Sequence, residues 1–319
     1  MIKFLIMKRF FLLMVSIIFF TFLKAQDTIH ANQKDTTDLM KELENESMKK
    51  PAYLKTFKYT RVVDGHSVES LRAHVLDFRV SHRFGPLSSG AYNLFGFDFA
   101  TFRLGFDYGI TNKVMIGIGH STNQKTYDAF VKIRLLSQST GTSNVPVSLS
   151  FVPTIAINSE RPDNYDVKPD SGVQAKPVSY VLQFLIARRF CDQFSLQLMP
   201  TYVHVDNISF NHTRHDIFAI GIAGTERLSK RINVNAEYYY QLPDEKAPGA
   251  HNVLSFGVDI GTGGHVFQLH FTNSIGLTEK SFITETTGRW DKGDALFGFN
   301  ISRVFQLGKK KGPANDFEK

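Results

Sequence analysis

The chain has 319 residues, 42% of them hydrophobic and 21% charged, with a mean hydropathy of -0.16. That is enough apolar material for one large domain, but it excludes a bundle of membrane helices, which would need several uninterrupted apolar runs of about 20 residues. The formal charge of +7 gives no support to nucleic-acid binding, because Lys3, Lys8, Arg9 and Lys24 lie in the first 25 residues with no acidic partner, and without them the charge falls to +3. The single Cys191, in the polar turn "RRFCDQF", has no partner for an internal disulfide and reads as an inert thiol.

In chain order, the first element is "FFLLMVSIIFFTFL", Phe10 to Leu23, with a basic start and "KAQ" after it. Its length and position match a secretory signal peptide over residues 1–25, cleaved after Ala25, an uncleaved anchor being the alternative. No cysteine follows it to carry a lipid. Residues 26–68 read as a periplasmic lead-in. Within it "TTDLMKELENESMKK" has the start, spacing and Pro51 stop of a short helix, and "TFKYTRVVDGHSVESL" is extended with a turn at Asp64-Gly65. Asp64, His66 and Ser67 are the residue types of a hydrolase trio, but neighbours in one turn rarely reach catalytic geometry.

From Leu71 the pattern has a period of two. "LDFRVSHRF" sets Leu76, Phe78 and Val80 against Asp77, Arg79, Ser81 and Arg83, and "TFRLGFDYG" sets Phe102, Leu104 and Phe106 against Arg103, Gly105 and Asp107. "VMIGIGHS" and "TYDAFVKIRLL" follow, then strands near 145–157, 177–188, 194–204, 216–226 and 231–241, the glycine hairpin "VLSFGVDIGTGGHVFQLHF", and a last strand near 295–305. About twelve strands result. Charges at mid-strand would be costly in a dry sandwich core, whereas large apolar side chains on the other face, with Tyr108, Tyr127, Tyr180, Tyr202, Tyr238 and Tyr240 toward strand ends, suit a bilayer. Turns at 110–113, 189–193, 228–231 and 261–264 are short, and loops at 84–98, 158–177, 205–215, 242–251 and 273–294 are long. This is the alternation of an outer-membrane barrel, broken by a short connection at 121–126 and a longer one at 137–144. The expected fold is all-β: an antiparallel up-and-down transmembrane barrel over residues 69–307, in the outer membrane of a Gram-negative bacterium, with a charged tail at 308–319. A soluble lipocalin-like fold would need the apolar face inward.

The stretches "TRVVDGHSVESL", "DFRVSHRFG", "FRLGFDYGITNKVMIGIGHSTNQKTYDAFVKIRLLSQS" and "PVSLSFVPTIAIN" resemble a family of β-barrel proteins from Bacteroidetes-type bacteria known as domain of unknown function 5777. The resemblance covers about residues 55–310 and is most specific from Phe102 to Asn158. It implies an outer-membrane barrel and no established activity, so it assigns no functional residues.

The pleat places ten charges toward the lumen: Arg79, Arg83, Arg103, Lys132 and Arg134, and Asp77, Asp107, Asp128, Glu237 and Asp259. The first four strands hold a net +2 and the ninth and tenth a net -2, a transverse field suited to small polar or zwitterionic solutes in a narrow channel. The blander reading is a lumen filled by internal salt bridges, which makes the barrel a structural or docking protein. An outer-membrane hydrolase built on His120 and Ser121 lacks a visible third partner. "NHTRHD", with His212 and His215, has no third metal ligand nearby. Catalytic, metal and cofactor sites are therefore not expected. The expected partners are outer-membrane lipid, a small polar solute and a periplasmic protein bound through residues 26–68, with no nucleic acid.

Overall fold

The structure is a computed structural model that describes residues 52–141, 144–160, 178–206, 215–242, 246–247 and 249–308. The expected signal peptide, the helix expected before Pro51, His212 and the residues beyond 308 lie outside the described residues. The fold is a closed barrel of twelve antiparallel strands. They are β1 (Val75–Pro86), β2 (Ala100–Gly109), β3 (Val114–Ser121), β4 (Thr126–Leu136), β5 (Ser148–Asn158), β6 (Val178–Arg189), β7 (Phe194–Val205), β8 (Asp216–Arg227), β9 (Ile232–Gln241), β10 (Val253–Thr262), β11 (His265–Thr272) and β12 (Leu296–Gln306). Each pairs with its neighbour in the chain, and β12 closes onto β1 through Val80 opposite Ile301 and Asp77 opposite Val304. Closure satisfies the backbone polar groups that an open edge would leave bare in hydrocarbon.

Burial alternates along the strands, with breaks toward strand ends and at glycines. On β2, Phe102, Leu104 and Phe106 face outward while Thr101, Arg103 and Asp107 are buried. The sense is opposite to that of a soluble protein: Ile118 is 60% exposed and Lys132 is 0% exposed. Glycine serves the inner face at Gly119, where a Cβ would collide with the Arg103 guanidinium, so its absence lets that long side chain lie across the lumen.

β1 starts and β12 ends at one rim, together with the short turns at 110–113, 190–193, 228–231 and 263–264; this is the periplasmic rim. The unexpectedly long β4–β5 connection lies there too, and it has a reason. Its Ser139 and Thr140 pair with Tyr53 and Ala52, clamping the incoming chain to the barrel mouth. The opposite, external rim carries the connections after β1, β3, β5, β7, β9 and β11. The last of these includes a six-residue helix, α1 (Glu279–Thr284), every residue of which is buried.

Candidate functional site

The lumen is occupied. Residues 57–71, the first twelve of them expected in the periplasm, enter the barrel from the periplasmic rim, turn at Asp64-Gly65 and return to the same rim to begin β1. They form a small hairpin: Arg61 bridges to His66, the Val62 amide donates to the Gly65 carbonyl at 2.9 Å, and the Ser67 amide donates to the Thr60 carbonyl at 3.0 Å. The placement of 57–68 outside the barrel is thereby corrected. The physical reason is that Val62, Val63, Val68 and Leu71 are apolar and need burial, and the hairpin's backbone needs hydrogen-bond partners, which a polar wall supplies.

Each of the ten charged residues on the inner wall has a definite place. Lys132 is fully buried and its Nζ donates to three hairpin carbonyls, those of Thr60 (3.1 Å), Ser67 (2.9 Å) and Glu69 (2.9 Å). Glu237 does the converse, accepting from the backbone amides of Asp64 (2.6 Å) and Gly65 (3.1 Å). Arg83 pairs with Asp64, which also accepts from the Ser255 hydroxyl at 2.6 Å. Arg134, less deeply placed, pairs with Glu69 at 3.1 Å. Arg79 holds Asp77 at 2.8 Å and donates to the Thr60 hydroxyl at 2.9 Å. Arg103 grips Asp128 with two hydrogen bonds, of 2.8 and 2.5 Å. Asp259 accepts from the Gln268 amide at 2.8 Å, whose Nε2 also donates to the Val62 carbonyl at 3.1 Å. Asp107 stands directly opposite Asp77, and neither of its oxygens has a hydrogen-bond partner among the described residues.

The wall therefore brings six of the ten onto the hairpin: Arg79, Arg83, Lys132, Arg134 and Glu237 directly, and Asp259 through Gln268. Arg103 with Asp128, and Asp77 with Arg79, pair within the wall, and Asp107 lies on it without a hydrogen bond among the described residues. Gln197 and Asn300, not singled out by charge, belong to the same set. Gln197 accepts from the Val68 amide at 2.7 Å and donates to the His66 carbonyl at 2.8 Å, and Asn300 donates to the Val63 carbonyl at 3.1 Å.

From the external side α1 folds down to meet the hairpin. Glu279 pairs with Arg61 and lies 3.3 Å from His66 Nε2, while Phe282 and Ile283 are wholly buried against an apolar sector of the wall that includes Val181, Val203, Ile217 and Tyr239. The Phe282 and Tyr239 rings are 5.3 Å apart. The inner wall is thus two-faced, ionic on β1–β4 and β9–β12 and, on β5–β8, built of uncharged side chains, about half of them apolar. Neighbour-to-neighbour apolar runs such as "FVPTIAI" and "YVLQFLI" carried that signal, since a strand covered on both faces loses its alternation. Between hairpin and wall there remains a cavity of about 10 Å³ bordered by Arg61, Asp64, Arg79, Arg83, Arg103 and Asn300, room for about one water.

The hydrolase pairing is overturned by the pleat. His120 faces outward with its ring 4.4 Å from Tyr127, whereas Ser121 points inward and is buried. Asp64, His66 and Ser67 do not form a trio either: Asp64 is engaged by Arg83, and the Ser67 hydroxyl donates to the Tyr59 carbonyl at 2.5 Å. His215 Nδ1 lies 2.6 Å from the Val205 carbonyl, and no cluster of three or more His, Cys, Asp or Glu suited to a metal occurs among the described residues.

The family described as Membrane bound beta barrel domain (DUF5777) matches residues 57–305, more than three quarters of the chain. The chain belongs to that family. It is a membrane-bound β-barrel. The match begins at Phe57, so the lumenal hairpin is part of the family domain and not an appendage to it. No curated protein matches the chain. Among solved structures, a KdgM porin in complex with disordered oligogalacturonate is 8% identical with a TM-score of 0.43, covering 72% of this chain and 99% of that one. A NanC porin gives 8%, 0.43, 72% and 98% in the same order, and the outer membrane protein Omp33 of Acinetobacter baumannii gives 8%, 0.38, 73% and 98%. Likenesses this distant carry no conclusion about activity.

Proposed function

We propose that this DUF5777 barrel, from a Bacteroidetes-type outer membrane, is a gated, non-enzymatic conduit for small polar or zwitterionic solutes, held shut by a withdrawable hairpin. One observation carries the reading: both ends of the hairpin leave at the periplasmic rim, at Tyr53 paired with Ser139 and at Val75 opening β1. A loop tethered at one end of a tube can leave it without threading and without breaking a barrel hydrogen bond. The seat it leaves behind is hydrogen-bonding and ionic, so water can take over its contacts.

Charge supports the same reading. Asp64 and Glu69 of the hairpin pair with Arg83 and Arg134, so the hairpin places two carboxylates on the half of the wall that carries the net +2. Withdrawal bares that excess opposite Glu237 and Asp259, and the transverse field appears in the open lumen. The tight filling of the lumen favours a second reading, a structural or docking barrel that never opens, with residues 26–56 available to a periplasmic partner. Planar-bilayer conductance of the mature protein and of Lys132→Met separates the two. Larger or more frequent openings in the variant are expected; silence from both, with folded barrels inserted, removes the conduit.

A further inference from the structure

The external half of the lumen differs from the rest. Its wall is apolar at Val181, Val203, Ile217, Ala219 and Tyr239, all at most 2% exposed, and what fills it is Phe282 and Ile283 of α1. Its floor is the hairpin, which presents the Arg61 guanidinium upward to a carboxylate, that of Glu279, with His66 beside it. Two residues along from Tyr239 on the same inner row, Gln241 is fully buried with neither its amide nitrogen nor its oxygen hydrogen-bonded among the described residues. A mainly apolar chamber with a cation at its base and unsatisfied amide atoms on Gln241 and Gln183 is an unusual surface for a loop to cover, because burying an ion pair stabilises a fold poorly compared with an apolar substitute of the same shape. It is ordinary for a binding site, where a few placed polar groups orient an otherwise apolar ligand.

We propose that this chamber binds small carboxylates with an aryl or alkyl body, and that α1 is their resident stand-in, Glu279 occupying the place of the ligand carboxylate on Arg61 and Phe282-Ile283 the place of its apolar body. The proposal rests on the conduit reading in one respect: α1 must leave the chamber for a ligand to enter. It then gives that conduit a cargo class, amphiphilic acids, entering from the outside and stopping above the hairpin. Affinity in the native protein is reduced by the fraction of time α1 is in place, so weakening α1 raises apparent affinity without any new contact.

The test uses the full mature protein in lipid nanodiscs and 4-phenylbutyrate as the probe, measured by isothermal titration against empty nanodiscs. The variant Glu279→Gln/Phe282→Ala/Ile283→Ala is expected to bind at least about tenfold more tightly than the native protein. It should also prefer 4-phenylbutyrate to 4-phenylbutanol by at least about tenfold, the scale of one buried charge-assisted pair. Adding Arg61→Ala should abolish the preference for the acid while leaving the weaker binding of the alcohol. Absence of saturable binding in the α1 variant, or a preference for the acid that survives Arg61→Ala, overturns the proposal. Should the triple variant not fold, as judged by loss of heat-modifiable gel mobility, Glu279→Gln alone keeps the packing and must still tighten binding. Conductance separates the two readings: binding without any opening retires the conduit and leaves the chamber, and openings without binding retire the chamber and leave the conduit.

Discussion

Lys132→Met is the most informative single change, because the structure fixes both sides of its balance. The ammonium donates to three carbonyls, of Thr60, Ser67 and Glu69, all on the hairpin and all screened from water. Methionine fills nearly the same volume and donates to none. Each carbonyl left bare costs about 1–3 kcal/mol, while the desolvation of a buried ammonium, several kcal/mol, is relieved by the same substitution. Water entering behind the shorter polar reach recovers part of the loss, so we expect the seated hairpin to weaken by about 2–4 kcal/mol, the cost of the bared carbonyls less the relieved desolvation. At about 1.4 kcal/mol per tenfold, the withdrawn fraction rises roughly thirtyfold to several hundredfold. The assay is labelling of Val68→Cys, buried at 1% exposure, by a membrane-impermeant maleimide in a Cys191→Ser background, since the native thiol is exposed and would react. Labelling should accelerate by that factor while the barrel keeps its heat-modifiable mobility. An unchanged rate in a folded barrel would mean that the ammonium's burial cancels its three bonds, and the polar wall would not be what seats the hairpin.

The remaining predictions share that readout or the barrel's own stability. At Gly65 a Cβ would run into the Tyr239 hydroxyl and close on Glu237, so Gly65→Ala should unseat the hairpin by about 1–3 kcal/mol of overpacking and speed labelling accordingly; an unchanged rate would show that the turn has room to shift. His66, on the re-entrant hairpin and not on a spanning strand, is held well below the ordinary imidazole range by burial and then by Arg61, Lys132, Arg103 and Arg79, with Glu279 3.3 Å away opposing them. The withdrawn hairpin takes up a proton that the seated one refuses. Seating is therefore at full strength above about pH 6.5 and weakens as pH falls below it, which labelling at pH 5.5 and 7.5, corrected for thiol reactivity, should show and His66→Gln should flatten. On the lipid face, Ile118→Arg should destabilise the barrel by about 2–4 kcal/mol in urea-gradient mobility, whereas no loss would place that residue away from the hydrocarbon.

The outward face was legible in the sequence because lipid imposes one rule on every strand: Phe102, Leu104 and Phe106 on β2 and Phe267, Leu269 and Phe271 on β11 obey it, and a one-residue slip would turn them all inward. The inner face obeys no single rule. Arg103 and Lys132 are both inward cations on neighbouring parts of the wall, yet one satisfies a strand partner and the other a hairpin that arrives from elsewhere in the chain, and spacing along a strand contains nothing of that difference. The hairpin itself left a clue in "RVVDGHS", where Val62 and Val63 sit beside a turn pair in a segment otherwise polar enough to be read as solvated. What was missing was a reason for two adjacent valines to be buried on both sides, and only a closed wall around them supplies it. The inward burial of α1 was less accessible still, since "EKSFIT" has the composition of an ordinary exposed loop helix.

The two fillings also differ in how they resist removal, and that difference orders the opening. The hairpin is seated by hydrogen bonds and ion pairs, which water can replace one by one, together with the burial of Phe57, Val62, Val63, Val68 and Leu71, so the polar part of its hold is the part that responds to pH and to charge substitutions. α1 is seated by Phe282 and Ile283 in a chamber with no polar substitute for them, so its exit exposes apolar surface all at once unless another apolar body takes its place. Their shared contact, Arg61 with Glu279, means that neither leaves without uncovering a buried charge on the other. An external ligand able to satisfy Arg61 while filling the chamber removes both costs together, and it frees the hairpin from its last contact above. Opening should accordingly be driven from outside by occupancy and completed toward the periplasm: an acid with an apolar body should accelerate labelling of Val68→Cys, the matching alcohol should not, and equal effects of the two would break the link between chamber and hairpin.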